Sequence, residues 1–424
     1  MGKDLARVRG TVDKLTSDIA LEEAVLTKII HWLKLCNFAK VEAPILERID
    51  LFVDSLGTQT DVVNKELFLV AGKNSSDESI CLRPELTAGI FRAFLENQAL
   101  IVRPWKVFAV GPCFRYERPQ KGRLRQFDQI SLEVIDAHSP IFDAEMLLVL
   151  DRIFSQKLQL TNYTLKLNYI GGAAERAIYR EALQGFLVGH QAKLCADCQV
   201  RQHANPLRCL DCKNPLCNEL FTQAPRILDV LDAQSQAIFE DIQDNLRYNS
   251  VNFIIDHRLV RGLDYYRGVV FEFMSQELGA QSTFCGGGRY ELAQRLGEKQ
   301  AVPCVGAGIG LARLCMLAKD NVAPGSQKLL IAILPFSSKE EALALIVADN
   351  LRKNNHCCEI ILDKDSLKGK MRQASRLNAQ KVIFIGEEEV ARNTLTIKDL
   401  NTGEERVVLQ EDLLKALQEH ESVR

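Results

Sequence analysis

The run Phe114-Arg-Tyr-Glu-Arg-Pro-Gln-Lys-Gly-Arg-Leu-Arg-Gln-Phe127, continuing through Asp128-Gln-Ile-Ser-Leu-Glu-Val-Ile135, decides how this chain folds. Residues 107–115 and 126–135 read as two extended segments, and the basic stretch 116–125, with its Pro and Gly, reads as the long loop of a hairpin. Strand side chains alternate between two faces, so each segment can be sorted by parity. Phe108, Val110 and Phe114 share one face of the first strand, while Arg115 and Glu117 share the other. On the return strand Ile130, Leu132 and Val134 alternate with Gln129, Ser131 and Glu133. If both apolar faces pack against a helix, Arg115, Gln129 and Glu133 form one polar floor. A guanidinium fork suits phosphate oxygens, and a carboxylate suits an ammonium or an imidazole N–H. Alternation alone would fit a solvated edge hairpin equally well.

Working outward, a helix with apolar positions Ile19, Leu21, Val25, Ile29, Ile30 and Leu33 is expected over 17–36 and should pack on the sheet. Another strand over 268–274 precedes Gly286-Gly-Gly288, which alone would read as a turn. Past residue 319 the texture changes through Val322-Ala-Pro-Gly-Ser326. Strands at 329–334, 359–362 and 381–385 then alternate with helices at 338–354 and 367–377, followed by a hairpin at Asn401-Thr-Gly403, the rhythm of a small separate α/β domain. The 424 residues suffice for two or three domains, and 47% hydrophobic with 25% charged residues is ordinary for a globular chain. A net charge of −2 excludes strong global attraction to nucleic acid, so RNA contacts must come from local basic patches. No apolar run is long enough to span a bilayer, and the first residues lack a hydrophobic signal core. With 13 cysteines, an odd number, reduced thiols and a cytoplasmic location are expected.

The hairpin run resembles the second defining motif of class II aminoacyl-tRNA synthetases. Leu259-Val-Arg-Gly-Leu-Asp-Tyr-Tyr266 resembles a peptide peculiar to the histidine enzymes of that class. Gly306-Ala-Gly-Ile-Gly-Leu-Ala-Arg313 is similar to the third class motif, and Val41-Glu-Ala-Pro44 through Phe52 to the first, which forms a dimer interface in such enzymes. The matches keep the family's order over nearly the whole chain. The resemblance implies an α+β catalytic domain on a mixed, mainly antiparallel sheet (1–325) with a helical insertion (173–243). It also implies a C-terminal α/β anticodon-binding domain (326–424) and a homodimer.

The implied activity is activation of L-histidine with ATP and Mg2+, then transfer to the 3′ end of tRNA(His). By resemblance Arg115 and Arg261 are catalytic and face the α-phosphate, Arg261 also meeting the substrate carboxylate. Glu117 and Arg123 join Arg115 in holding ATP, and Arg313 takes the γ-phosphate. Glu85, Thr87 and Gln129 match the pocket for the amino group. Glu133 and Tyr266 match the groups holding the imidazole, a ring with one donor and one acceptor nitrogen in its neutral form. Tyr265 and Tyr290 complete the histidine site, with Gly286-Gly-Gly288 as its wall.

Contacts to tRNA are expected from the hairpin loop through Arg118, Lys121 and Arg125. More are expected from the basic run Lys364, Lys368, Lys370, Arg372, Arg376 and Lys381, with Lys370 and Arg372 at its centre; such a run by itself is usually a solvated face. Cys195-x2-Cys198 and Cys209-x2-Cys212 have zinc-ribbon spacing and would give a structural zinc. Their surroundings also resemble the family's insertion, where cysteines are optional and zinc is not catalytic, so buried reduced thiols are the competing reading. The rival function is a silent paralogue regulating ATP phosphoribosyltransferase. Retention of Arg115, Arg261, Arg313 and a full C-terminal domain argues against it.

Overall fold

The computed structural model describes residues 6–58, 60–71, 79–120, 122–263, 265–323, 329–362 and 366–418. The chain divides into two compact units, Met1–Pro324 and Gly325–Arg424.

The first unit is built on an eight-stranded sheet. Its order is Ala39–Lys40, Trp105–Phe114, Gln126–Ile135, Pro303–Gly310, Thr283–Glu291, Tyr266–Met274, Thr164–Tyr169 and Ile254–Ile255. Only the pairings at the two ends are parallel. The hairpin is in register, with Phe114 opposite Gln126 and Val107 opposite Glu133. The parity reading places the core correctly on the return strand, where Ile130, Leu132 and Val134 are buried together with Phe108, but less well on the first, where Val110 and Phe114 are half-buried and Val107, Ala109 and Cys113 of the other parity are buried. The helix Thr16–Leu35 joins the same core through its buried Val25, Ile29 and Leu33 and packs on the helix Leu311–Ala318. Each such side chain contributes on the order of 1.5–3 kcal/mol by leaving water. The opposite face is not solvated as a simple half-buried strand would be. Ser131 and Glu133 are as deeply buried as the apolar residues between them.

A three-stranded sheet, Leu46–Arg48, Ile80–Leu82 and Phe68–Val70, stands beside the large one. It leads into the turn Arg83-Pro84-Glu85, where Arg83 donates from Nε to the Pro112 carbonyl at 2.9 Å and from Nη1 to the Ala43 carbonyl at 2.7 Å. These bonds fasten the turn to the hairpin's first strand, so the next helix, Thr87–Glu96, begins at the edge of the polar face.

One local expectation changes. Gly286-Gly-Gly288 is not a turn but the middle of the strand Thr283–Glu291, paired on both sides. The third motif runs as strand to Gly310 and then becomes the helix Leu311–Ala318, which carries Arg313 on its first turn. The segment between the Thr164–Tyr169 and Ile254–Ile255 strands is helical, with Ala173–Gly189, Ala196–Ala204, Pro215–Leu220 and Ala233–Tyr248.

The second unit has a five-stranded sheet ordered Cys357–Ile360, Leu330–Pro335, Lys381–Ile385, Thr394–Asp399 and Glu405–Leu409. The first three strands are parallel and the last two antiparallel. Both faces of the central strand are buried: Ile331 and Ile333 pack with the helix Glu341–Lys353, and Ala332 and Leu334 with the helix Leu367–Arg376. Double coverage explains the continuous apolar run Leu-Ile-Ala-Ile-Leu.

Candidate active site

A cavity of about 670 Å³ opens on the polar face of the large sheet. Every residue expected to hold histidine or ATP lines it. At one end lies Glu133. Its Oε1 accepts hydrogen bonds from Thr87 Oγ1 at 2.8 Å and Ser131 Oγ at 2.7 Å, and its Oε2 accepts from Tyr290 OH at 2.8 Å. Burial pushes the Glu133 carboxyl up to about 8, against the pull of those three hydroxyl donors. Glu85 is nearby. It accepts from the Ala88 N–H at 3.0 Å, at the N-terminus of the Thr87–Glu96 helix, and from Tyr265 OH at 3.2 Å. Burial raises its pKa too, while the Ala88 N–H and the Arg115 charge oppose the rise. Tyr265 sits between Tyr266 and Tyr290, with ring centroids 4.6 and 5.4 Å away. Gln129 faces the same space and accepts from the Cys113 thiol at 3.4 Å.

The other end is cationic. Arg115 donates to the Pro84 carbonyl at 3.0 Å and lies 5.4 Å from the Phe127 ring centre. Arg123 pairs with Glu117 at 2.8 Å. Arg313 donates to the Gly122 carbonyl at 2.9 Å and to the Thr283 carbonyl at 2.6 Å. Its pKa is lowered by burial and then by the nearby Arg123 charge, the signature of a cluster that a polyanion would relieve. Arg261 bridges the two ends: its guanidinium hydrogen-bonds Glu272 and lies 5.7 Å from the Tyr266 ring centre.

Glycines make this arrangement sterically feasible. A Cβ on Gly306, the cross-strand neighbour of Glu133, would fall 1.9 Å from Glu133 Oε2. One on Gly286 would fall 2.5 Å from Arg261 Nη1. The glycines of two motifs are therefore spaces into which long polar side chains of other segments lie.

Sequence reasoning missed several members. Ser131 is one, although it shares parity with Gln129 and Glu133. Glu272, the partner of Arg261, was legible as a lone acid in Val-Val-Phe-Glu-Phe-Met on the same strand parity as Tyr266. Asp211 and Lys213 of the insertion also border the cavity, and no local pattern marks them.

The expected RNA contacts sort differently. Arg118 is exposed on the loop. Arg125 is folded back, with its guanidinium 3.9 Å from the Tyr116 ring centre and its Nε donating to the Glu117 carbonyl at 3.2 Å. Arg372 is exposed on its helix, but Lys370 is not a surface cation: it is buried, and its ammonium donates to the Pro335 carbonyl. That expectation is corrected, because a helix lying on a sheet buries one of its faces whatever the charge it carries. Lys381 is buried as well. Lys121, Asp264 and Lys364 lie outside the described residues. The expected zinc set is also revised: Cys195, Cys198 and Cys212 converge, but with Cys217, while Cys209 lies outside that close group, its thiol donating to the Cys198 carbonyl at 3.7 Å. Among the described residues no helix is long and apolar enough to cross a membrane.

Comparison with known proteins bears on this geometry. The family model described as histidyl-tRNA synthetase matches residues 10–314, and that described as anticodon binding domain matches residues 330–420. The histidine–tRNA ligase of Syntrophotalea carbinolica is 36% identical over 98% of this chain and 98% of its own length. That of Chlorobium chlorochromatii is 39% identical over 97% and 98%. The apo crystal structure of S. aureus histidyl-tRNA synthetase superposes with a TM-score of 0.79 at 30% identity, covering 97% of this chain and 99% of that one. With residues of its second and third motifs and of the 259–266 peptide around one cavity, and with relatives of this identity matching end to end, the chain belongs to the histidyl-tRNA synthetase family.

Proposed function

We propose that the cavity binds histidine at its Glu133 end and ATP at its arginine end, and that this chain joins the two and passes histidine to tRNA(His). The observation that carries the reading is the coexistence, in one cavity, of a buried carboxylate with hydroxyl partners and a cluster of guanidiniums. In the first step a histidine carboxylate oxygen forms a bond to the α-phosphorus while the bond to the β-phosphate bridge breaks. Pyrophosphate leaves with the electron pair. Charge grows on the α-phosphate oxygens, where Arg115 and Arg261 would stabilise it, while Arg313 and the Arg123–Glu117 pair hold the departing phosphates. ATP arrives as its magnesium complex. Glu117 and Glu272 are already paired with Arg123 and Arg261, so the ion would keep phosphate oxygens and water as most of its ligands. In the second step the terminal ribose hydroxyl of tRNA attacks the histidyl carbonyl carbon and AMP leaves.

Selectivity would come from the imidazole. An N–H entering beside Glu133 supplies a donor to a carboxylate whose ionisation burial otherwise opposes, and a phenol of the Tyr265, Tyr266 and Tyr290 group addresses the second nitrogen. A side chain lacking these nitrogens would leave buried polar groups unpaired, a strong basis for rejection. Glu85, Thr87 and Gln129 would receive the amino group. Among the described residues expected to contact tRNA, Arg118, Lys368, Arg372 and Arg376 are exposed and would meet its phosphates. The same reading assigns 1–325 to catalysis, 326–424 to the anticodon, and a homodimer to the first motif. Exposed apolar Ile45 and Leu46, with Leu100 and Val102, suit burial against a second copy. The test is ATP–pyrophosphate exchange across a panel of amino acids. Exchange driven by histidine alone is expected, and exchange with none of them would overturn the reading.

A further inference from the structure

The insertion contains a cluster of sulfur atoms that neither step of the reaction uses. Cys195 precedes the helix Ala196–Ala204, Cys198 lies on its first turn, Cys212 follows the short turn Pro206–Cys209, and Cys217 lies in the helix Pro215–Leu220. Their four Sγ atoms all lie within 4.8 Å of one another, three of the residues are buried and the fourth is half-buried. The Cys195 and Cys212 sulfurs are 3.7 Å apart. That is far beyond a disulfide bond of about 2.05 Å. It matches the edge of a sulfur tetrahedron with zinc–sulfur bonds of about 2.3 Å, which geometry puts at roughly 3.8 Å.

The backbone supplies a second, independent observation. The Cys195 N–H donates to Cys217 Sγ at 3.2 Å, and the Asn214 N–H donates to Cys212 Sγ at 3.4 Å. Amides aimed at sulfur stabilise thiolates, and such bonds are typical of the shell around metal-bound ligands. Leu194, Leu220 and Phe221, close to the cluster in sequence, are buried.

We propose that Cys195, Cys198, Cys212 and Cys217 bind one zinc ion in a closed tetrahedral site. Four soft sulfur ligands with no open position make the site structural rather than catalytic. As the four zinc–sulfur bonds form, the four thiols release their protons to solvent, and no electron is transferred. The ion would tie together three short segments. It would also anchor Asp211 and Lys213, the neighbours of Cys212, at the rim of the cavity that contains Arg261 and Arg313. Cys209 has no part in it.

The test is the metal content of the full-length protein, purified without chelator from cells supplied with zinc, and its spectrum after cobalt(II) replacement. One zinc per chain is expected, together with the sulfur-to-cobalt charge-transfer bands of a tetrahedral thiolate site. Cys209→Ser should keep both features, and Cys217→Ser should lose both. If Cys217→Ser does not fold, the wild type decides: a mercurial thiol reagent should release one zinc per chain to an indicator dye. Wild-type protein without tightly bound zinc, or metal lost in Cys209→Ser and kept in Cys217→Ser, would overturn the proposal.

Discussion

The two ends of the cavity solve opposite electrostatic problems. At the Glu133 end a buried carboxylate is surrounded by hydroxyls, so burial dominates and its pKa rises to about 8. At the other end guanidiniums gather with the carboxylates of Glu117 and Glu272, and burial together with like charge lowers the pKa of Arg313. On the proposed reading the first environment would discriminate by pairing hydrogen bonds, and the second, rich in positive charge, would receive phosphate. One pocket would thus separate choice of amino acid from stabilisation of the transition state, and substitutions at each end should fail in different ways.

Arg261 sits where the ends meet, so its loss should have the largest effect. Arg261→Ala should lower the rate of histidine-dependent pyrophosphate exchange by about 10²–10³-fold, the usual cost of removing a preorganised transition-state donor. A decrease within severalfold would show that charge at this junction is dispensable.

Glu133→Gln should instead raise the KM for histidine by about 10–100-fold and leave the KM for ATP unchanged. An equal rise in both would erase the division between the ends. The same variant reports on the buried charge. A carboxyl whose folded pKa lies above its unfolded value stabilises the fold fully below the unfolded pKa and progressively less as pH rises through the folded one. The wild-type melting temperature, without ligands, should therefore fall relative to Glu133→Gln between about pH 4.5 and pH 8. Parallel profiles would mean that the carboxyl ionises freely.

The smallest effect is expected in the second unit. Arg372→Ala should leave exchange intact and raise the KM for tRNA by only a few-fold, with the salt dependence reduced by about one phosphate contact. Lys370→Ala should act through stability, since it leaves the Pro335 carbonyl without the ammonium donor at a cost of about 1–3 kcal/mol. Thermal melts of both variants distinguish the surface cation from the buried one.

Much of the active site was legible because the strand repeat is local. Alternation in Gln126–Ile135 separates Ile130, Leu132 and Val134 from Gln129, Ser131 and Glu133 without reference to any other segment. The glycine strand was not legible in the same way, since three consecutive glycines carry no parity and read as a turn. Only the neighbouring strands, with Glu133 and Arg261 lying over Gly306 and Gly286, explain why side chains are absent there.

The sequence by itself determined the hairpin, the first helix, the alternating strands and helices of the second unit and the order of the motifs, and therefore the family, because these depend on short-range periodicity and residue type. The tertiary structure alone decided that Glu133 takes hydrogen bonds from Thr87 and Tyr290, 46 and 157 positions away along the chain. It also decided that Lys370 is buried while Arg372 is exposed, and that Cys217 rather than Cys209 joins the sulfur cluster. Spacing constrains neighbours on one element, whereas burial and ligand sets are fixed by which elements meet, and that depends on how the whole core packs.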